Sequence, residues 1–212
     1  IQKQLNDYLE QKRAVFPRFY FLANEDLLLI LAQTKDPLAV QAHMEKCFEG
    51  IQELIFEDTN MVRGMVSAEG EKVRFNDEID VTEGDNKGNV ENWLTEVERE
   101  MRKCLKKICK DSVEAYATSK RTDWVFNWPG QIILAVSQIY WTQGVEEALK
   151  QGDRAANAVV EFEEVLNKQI EDIVQLVRGE LPVQTRVTMK ALVVIDVHAR
   201  DVVETLYNQG VN

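Results

Sequence analysis

The chain has 212 residues, 45% of them hydrophobic and 29% charged, a globular composition that excludes wholesale disorder and allows one good-sized core or two small ones. Its formal net charge of −11 repels phosphate backbones and anionic lipid, and no run approaches ~18 uninterrupted apolar residues, so neither nucleic-acid nor membrane partners are expected. Cys47, Cys104 and Cys109 are odd in number and lack CxxC spacing, which predicts free thiols in a reducing compartment.

The chain starts at Ile1 without an initiator Met or leader, and it reads as a piece of a longer protein. Ile1, Leu5, Tyr8, Leu9 and Lys12 suggest a helix that stops before Pro17. Asn24 is placed to cap a short helix through "LLLIL", with Glu25 and Asp26 in its first turn. Asp36 is placed to cap another, with Pro37 in its first turn and Gly50 after its end. From Ile51 to Gly88 the pattern changes to short β-branched and aromatic runs, "ELIFED", "MVRGMVS" and "EKVRF", separated by turn residues such as "AEGE". These predict a small antiparallel hairpin or three-stranded sheet, followed by the polar loop "TEGDNKGN".

Long helices follow. Val90, Trp93, Leu94, Val97, Met101, Leu105 and Ile108 recur at steps of three and four, and a helix continuing to about Thr118 would be roughly 45 Å long. Pro129 opens the next helix, whose stripe is Ile132, Ile133, Val136, Ile139 and Tyr140, with Gly144 at an exposed-looking position. A third begins near Asp153 and carries Val159, Leu166, Ile170, Ile173 and Val177 almost in heptads, ended by Gly179 and Pro182. The last contains "ALVVIDV", apolar on nearly every face and therefore expected at the centre of a bundle. The fold class is mainly α, a long-helix bundle with a small antiparallel β insertion. Its segments are residues 1–50 of short helices, 51–88 with the sheet and acidic loop, and 89–212 with the long helices.

Catalytic constellations are scarce. No GxxxxGK[ST] loop, GxSxG or HExxH is present, and two histidines leave most acid–base schemes without a partner. His43 and Cys47 stand at i,i+4 spacing, enough for two ligands of a metal but not four, and a packed helix face is the default. Asp80 to Glu91 has the length of a calcium loop, yet its sixth position is Asp85 where that loop needs Gly. His198 shares a stripe with Ala191, Ile195 and Val202, one turn from Asp201, and is expected to be a core histidine. No catalytic, cofactor or metal residue is assigned. Among the tryptophans, Trp93 lies on a core stripe. In "DWVFNWPGQ", Trp124 and Trp128 precede Pro129 and Gly130, with Trp141 farther on. These five residues are candidates for a packed corner between helices, where indole N–H groups can reach freed carbonyls, or for an interface with a partner.

"LEQKRAVFPRFYFLANEDLLLILAQTKDP" resembles the KR-x-x-FPRF-x-F-L…DELL-x-IL segment of the dynein heavy-chain linker. The likeness continues through "HMEKCFEGI", "SAEGEKV", "VENWLTEVEREM", "WVFNWPGQ", "YWTQGVEEAL", "LVRGEL" and "VVIDVHARDVV", in order along essentially the whole chain. The W-V-x-N-W-P-G-Q and Y-W-T pairing resembles the axonemal branch. The resemblance implies the ring-proximal part of a mostly helical lever lying across six AAA+ modules and moving with their nucleotide state. It implies ATP and Mg in the parent chain but no cofactor in this segment. The partners implied are the AAA+ ring of the same heavy chain and other dynein subunits, without direct microtubule contact, in a ciliary or flagellar axoneme. The Trp–Pro–Gly corner would then set the angle between two lever helices. Two other readings stand beside it: a static scaffold that binds a partner through the Trp corner or β insertion, and an enzyme using His198 with Asp201 or a metal at His43 and Cys47.

Overall fold

In a computed structural model, which describes residues 2–33, 35–58 and 60–210, helix α1 runs from Gln2 to Val15. It stops at Phe16, held extended (φ −125°, ψ 92°) by the proline that follows. A 3-10 turn, Pro17–Phe21, leads to α2, Asn24–Ala32. Asn24 does not cap this helix. The cap position is Ala23, and the Asn24 Oδ1 instead accepts a hydrogen bond from Arg13 Nη2 at 2.9 Å. Asp36 does cap, its Oδ1 accepting from Leu38 N at 3.1 Å. What it caps is a 3-10 turn, Pro37–His43, followed by the short helix α3, Met44–Cys47, rather than one helix reaching Gly50. The tertiary reason lies at Gln41. Its side-chain amide donates to Leu54 O at 2.7 Å and accepts from Leu54 N at 2.8 Å, tying this turn to the sheet.

The sheet has three antiparallel strands in sequence order, β1 Glu53–Glu57, β2 Met61–Val66 and β3 Lys72–Asp80. The β2–β3 turn contains Gly70 at φ +84°, a left-handed conformation that a side chain would strain. Register shifts interrupt both ladders, one of them beside Gly64. A Cβ at Gly64 would lie 2.5 Å from Val73 O, so only glycine lets the two backbones approach there.

Helix α4 spans Val90–Tyr116, and Val90, Trp93, Leu94 and Val97 of its stripe are buried. It also buries two acids. Glu91 pairs with Lys12, and Glu100 with Lys103 at 3.3 Å, so each charge leaves water beside a cation. The chain forms two compact units, Ile1–Lys106 and Lys107–Asn212, and the division falls within α4. The first unit's core gathers Phe16, Phe19, Leu27, Ile30, Val40 and Met44, with Phe16 set edge-on to Phe19.

In the second unit, α5 (Arg121–Trp124) is followed by α6 (Gly130–Leu149), α7 (Ala155–Arg178) and α8 (Val183–Asn208). Val159, Leu166 and Ile173 of α7 are buried at heptad spacing. Helix α8 departs from expectation. It buries Met189, Leu192, Asp196, Ala199 and Val203, while Val194 is 69% exposed and His198 faces solvent. Its apolar residues therefore do not make it a central helix, because its burial face is organised around an acid. Gly144 also departs: it is half-buried on α6 rather than outward, and a Cβ there would stand 2.3 Å from Phe162 Cε2 of α7. The observed class is mainly α with a small antiparallel sheet, and among the described residues no helix is long and apolar enough to cross a membrane.

In an open helix, replacing glycine by alanine gains about 1 kcal/mol. At Gly144 the sign reverses, because the Phe162 ring must move. Gly144→Ala is expected to cost about 1–3 kcal/mol in a denaturant titration. Adding Phe162→Leu should recover part of that loss.

Candidate functional site

Below α4 the chain turns through residues 117–120 into α5. This puts Trp124 against the end of the helix it has just left. Trp124 is buried, and its Nε1 donates to Ser112 O at 3.1 Å. Tyr116 presents an 82° edge to the Trp124 ring at 4.9 Å and stacks on Tyr140 at 4.1 Å. Tyr140 in turn donates its hydroxyl to Val113 O at 2.8 Å. Two α4 carbonyls thus receive side-chain donors from α5 and α6, and three rings fill the angle between them. Each well-set aromatic pair contributes about 0.5–1.5 kcal/mol beyond its buried area. Burial pushes the Tyr116 phenol above its ordinary range, Arg121 opposing and Asp196 adding to the shift.

The other candidates fall in two places. Trp128 is half-buried and Pro129 holds the cap position of α6 at φ −58°, ψ 146°. Gly130 is the first residue of α6, where a Cβ would meet Thr188 Oγ1 of α8 at 2.9 Å. Trp141 lies farther along α6. It packs with Phe162 and Val145 against the cluster of Ala148, Val159, Leu166 and Val203. A cavity of about 170 Å³ beside it is lined by Tyr116, Arg121, Ser137, Tyr140 and Asp196 among others.

The residues that hold this corner together were not candidates in the sequence. Arg121 of α5 forks onto Asp196 of α8, Nη1 to Oδ2 at 2.8 Å and Nη2 to Oδ1 at 2.9 Å, with Nη2 also 3.4 Å from Ser137 Oγ of α6. Both side chains are only 11% exposed. One guanidinium therefore engages three helices, and its planar fork fits the carboxylate in a way an ammonium cannot. The available signal was the acid itself, since an Asp inside "VVIDV" must face out or find a cation.

The alternative sites are arranged for other work. His43 closes the 3-10 turn, Cys47 ends α3, and the Cys47 thiol is pushed up to about 12 by burial, with Arg18 opposing. A thiol so protonated is a poor nucleophile. At the acidic loop, the Thr82 amide and hydroxyl both donate to Asp80 Oδ1 at 2.8 Å and hold that carboxyl below the usual range, while Glu91 is occupied by Lys12. His198 is exposed rather than in the core, and Asp201 accepts from Arg200 at 2.7 Å. Among the described residues, no group of three or more His, Cys, Asp or Glu side chains is set to hold a metal ion. The geometry of the corner joins α5, α6 and α8 through Arg121 and sets Trp124 and Tyr140 against the end of α4.

Two measurements follow from these positions. Arg121→Met strands the Asp196 carboxylate and is expected to cost about 3–5 kcal/mol in chemical denaturation, whereas Arg121→Met with Asp196→Leu should recover most of it. In alkylation followed by mass spectrometry near pH 8, Cys47 should react at least roughly a hundredfold more slowly than half-buried Cys109.

The family model for the dynein heavy chain, N-terminal region 2, matches residues 1–112. Over all 212 residues the chain is 50% identical to human dynein axonemal heavy chain 3 and covers 5% of it. It is 47% identical over 211 residues to mouse dynein axonemal heavy chain 1, covering 5%, and 47% identical over 212 residues to mouse dynein axonemal heavy chain 12, covering 7%. The chain thus spans about a twentieth of the length of the curated relatives it matches. With more than half of its residues in one family model, this chain belongs to the dynein heavy chain family, and over its whole length it is similar to axonemal heavy chains.

Proposed function

We propose that this chain is a mechanical segment of an axonemal dynein heavy chain, the ring-proximal part of its linker. It couples nucleotide-driven changes in the AAA+ ring to movement of the tail along microtubules in cilia. The observation that carries the reading is the corner itself. Its strongest interactions are spent on fixing helix directions, through a buried Arg121–Asp196 fork and the Trp124, Tyr116 and Tyr140 rings. Close-packed helices are poorly compressible and transmit load between their ends. The chemistry belongs to the rest of the heavy chain, where ATP and Mg bind. Docking contacts that differ between two ring states would then select among linker conformations. The ring of the same chain and the other subunits of the complex are the partners in this reading.

The test softens α7 without unfolding it. Val160 and Gln169 are half-buried within that helix, and either position changed to Gly loses roughly 1 kcal/mol of helix propensity. In a full-length axonemal heavy chain carrying Val160→Gly and Gln169→Gly, gliding speed and stall force should fall by a larger fraction than basal ATP hydrolysis. An equal fall in all three would mean that the segment controls the catalytic cycle. No change in a folded variant would favour a static scaffold instead.

A further inference from the structure

Helix α8 carries apolar residues on two opposite sides, and the fold uses one. At about 100° per residue, the buried set Met189, Leu192, Asp196, Ala199 and Val203 lies roughly 180° from a second stripe made by Val183, Val187 and Val194. That second stripe is exposed, by 82%, 51% and 69% in turn. It runs roughly 16 Å, or about three helical turns. Beside it a groove of about 410 Å³ opens between α7 and α8, floored by Val174, Val177, Val193 and Val194. Among the described residues the groove's cations are Arg178 and Lys190, and Lys190 falls between Val187 and Val194 in the sequence of the stripe. Both are exposed, and among the described residues neither is engaged in an ion pair. In a chain with 36 acids against 25 bases, two free cations beside an unused valine surface are a specific arrangement.

We propose that this groove is a docking site for a three-turn amphipathic helix whose apolar stripe is flanked by carboxylates. A helix is favoured over an extended strand because a face made of two helices offers no unpaired backbone groups for a strand to bond. Carboxylates are favoured because Lys190 and Arg178 both line the groove among its valines. A second copy of the chain is disfavoured by the same charges. An isologous pairing would set these cations against their own copies, between two bodies that each carry −11. The proposal stands apart from the lever assignment, since a scaffold could use the same groove.

The test uses the 212-residue chain, ¹⁵N-labelled, and two synthetic three-turn peptides with one leucine stripe, flanked by Glu in one and by Lys in the other. The Glu peptide should give saturable amide shifts confined to residues 174–194, and bind about tenfold more tightly than the Lys peptide at low salt. Arg178→Glu with Lys190→Glu should reverse that order. Val194→Ser should weaken both peptides while leaving the thermal midpoint unchanged, because Val194 is exposed. Equal binding of the two peptides, shifts centred elsewhere, or no saturation would overturn the proposal. So would self-association of the chain in sedimentation that Val194→Ser abolishes, which would make the occupant a second copy.

Discussion

A carboxylate taken out of water inside an apolar helix face is stable only if a cation follows it, and Asp196 of α8 meets that condition through Arg121. The pairing is geometric as well as electrostatic. Both terminal guanidinium nitrogens must meet both carboxylate oxygens, so α5 has little freedom to rotate or slide against α8. Around that constraint the aromatic corner is assembled. Trp124 sits three residues beyond Arg121 on the same short helix, and Tyr116 lies between its ring and Tyr140. A four-residue helix has almost no stability of its own, so its place is owed to these side chains.

Steric fit completes what charge begins. Two glycines of α6 stand where neighbouring helices come closest, Gly130 against Thr188 and Gly144 under the Phe162 ring. A side chain at either would push apart surfaces that the ion pair draws together. In the first unit similar restraint comes from a different source. Acids on α4 are paired with Lys12, Arg18 and Lys103, and Gln41 ties a 3-10 turn to β1. The exposed pairs among these contribute little each, whereas the deeply buried Glu91 and Glu100 need their cations to be folded at all. For a segment read as part of a motor, such contacts between elements are the relevant property, because slack at any joint would absorb displacement.

Much of the architecture was legible beforehand, for reasons of period and punctuation. The α4 stripe, the heptad valines and leucines of α7, the three strands and the Asp36 cap are local features, and local sequence carries them. Trp93, read as a core residue, is buried, and Trp124, read as a corner or an interface residue, is buried as well. The errors share one cause. Asn24 was assigned from cap chemistry, and Gly144, His198 and the whole of "ALVVIDV" from hydropathy along one helix, but each is settled by a residue distant in sequence. Arg13 takes the Asn24 oxygen, Phe162 occupies the space over Gly144, and Arg121 turns Asp196 inward, which leaves Val194 and His198 outside. The corner's central pair was missed because its partners are 75 residues apart, and an acid beside valines carries no mark of the cation it will meet.

By itself the sequence determined the order of the long helices and the strands, and the family, since motifs in fixed order along the chain are a property of the string. Only the tertiary structure decided which side of α8 is inside. Hydrophobic burial is indifferent to direction, so a helix with two apolar sides, such as α8, has two nearly equivalent ways to pack. The choice between them falls to the directional contacts, hydrogen-bonded charge and hard-sphere fit. Those exist only once Arg121 and Asp196, or Gly144 and Phe162, have been brought together in space.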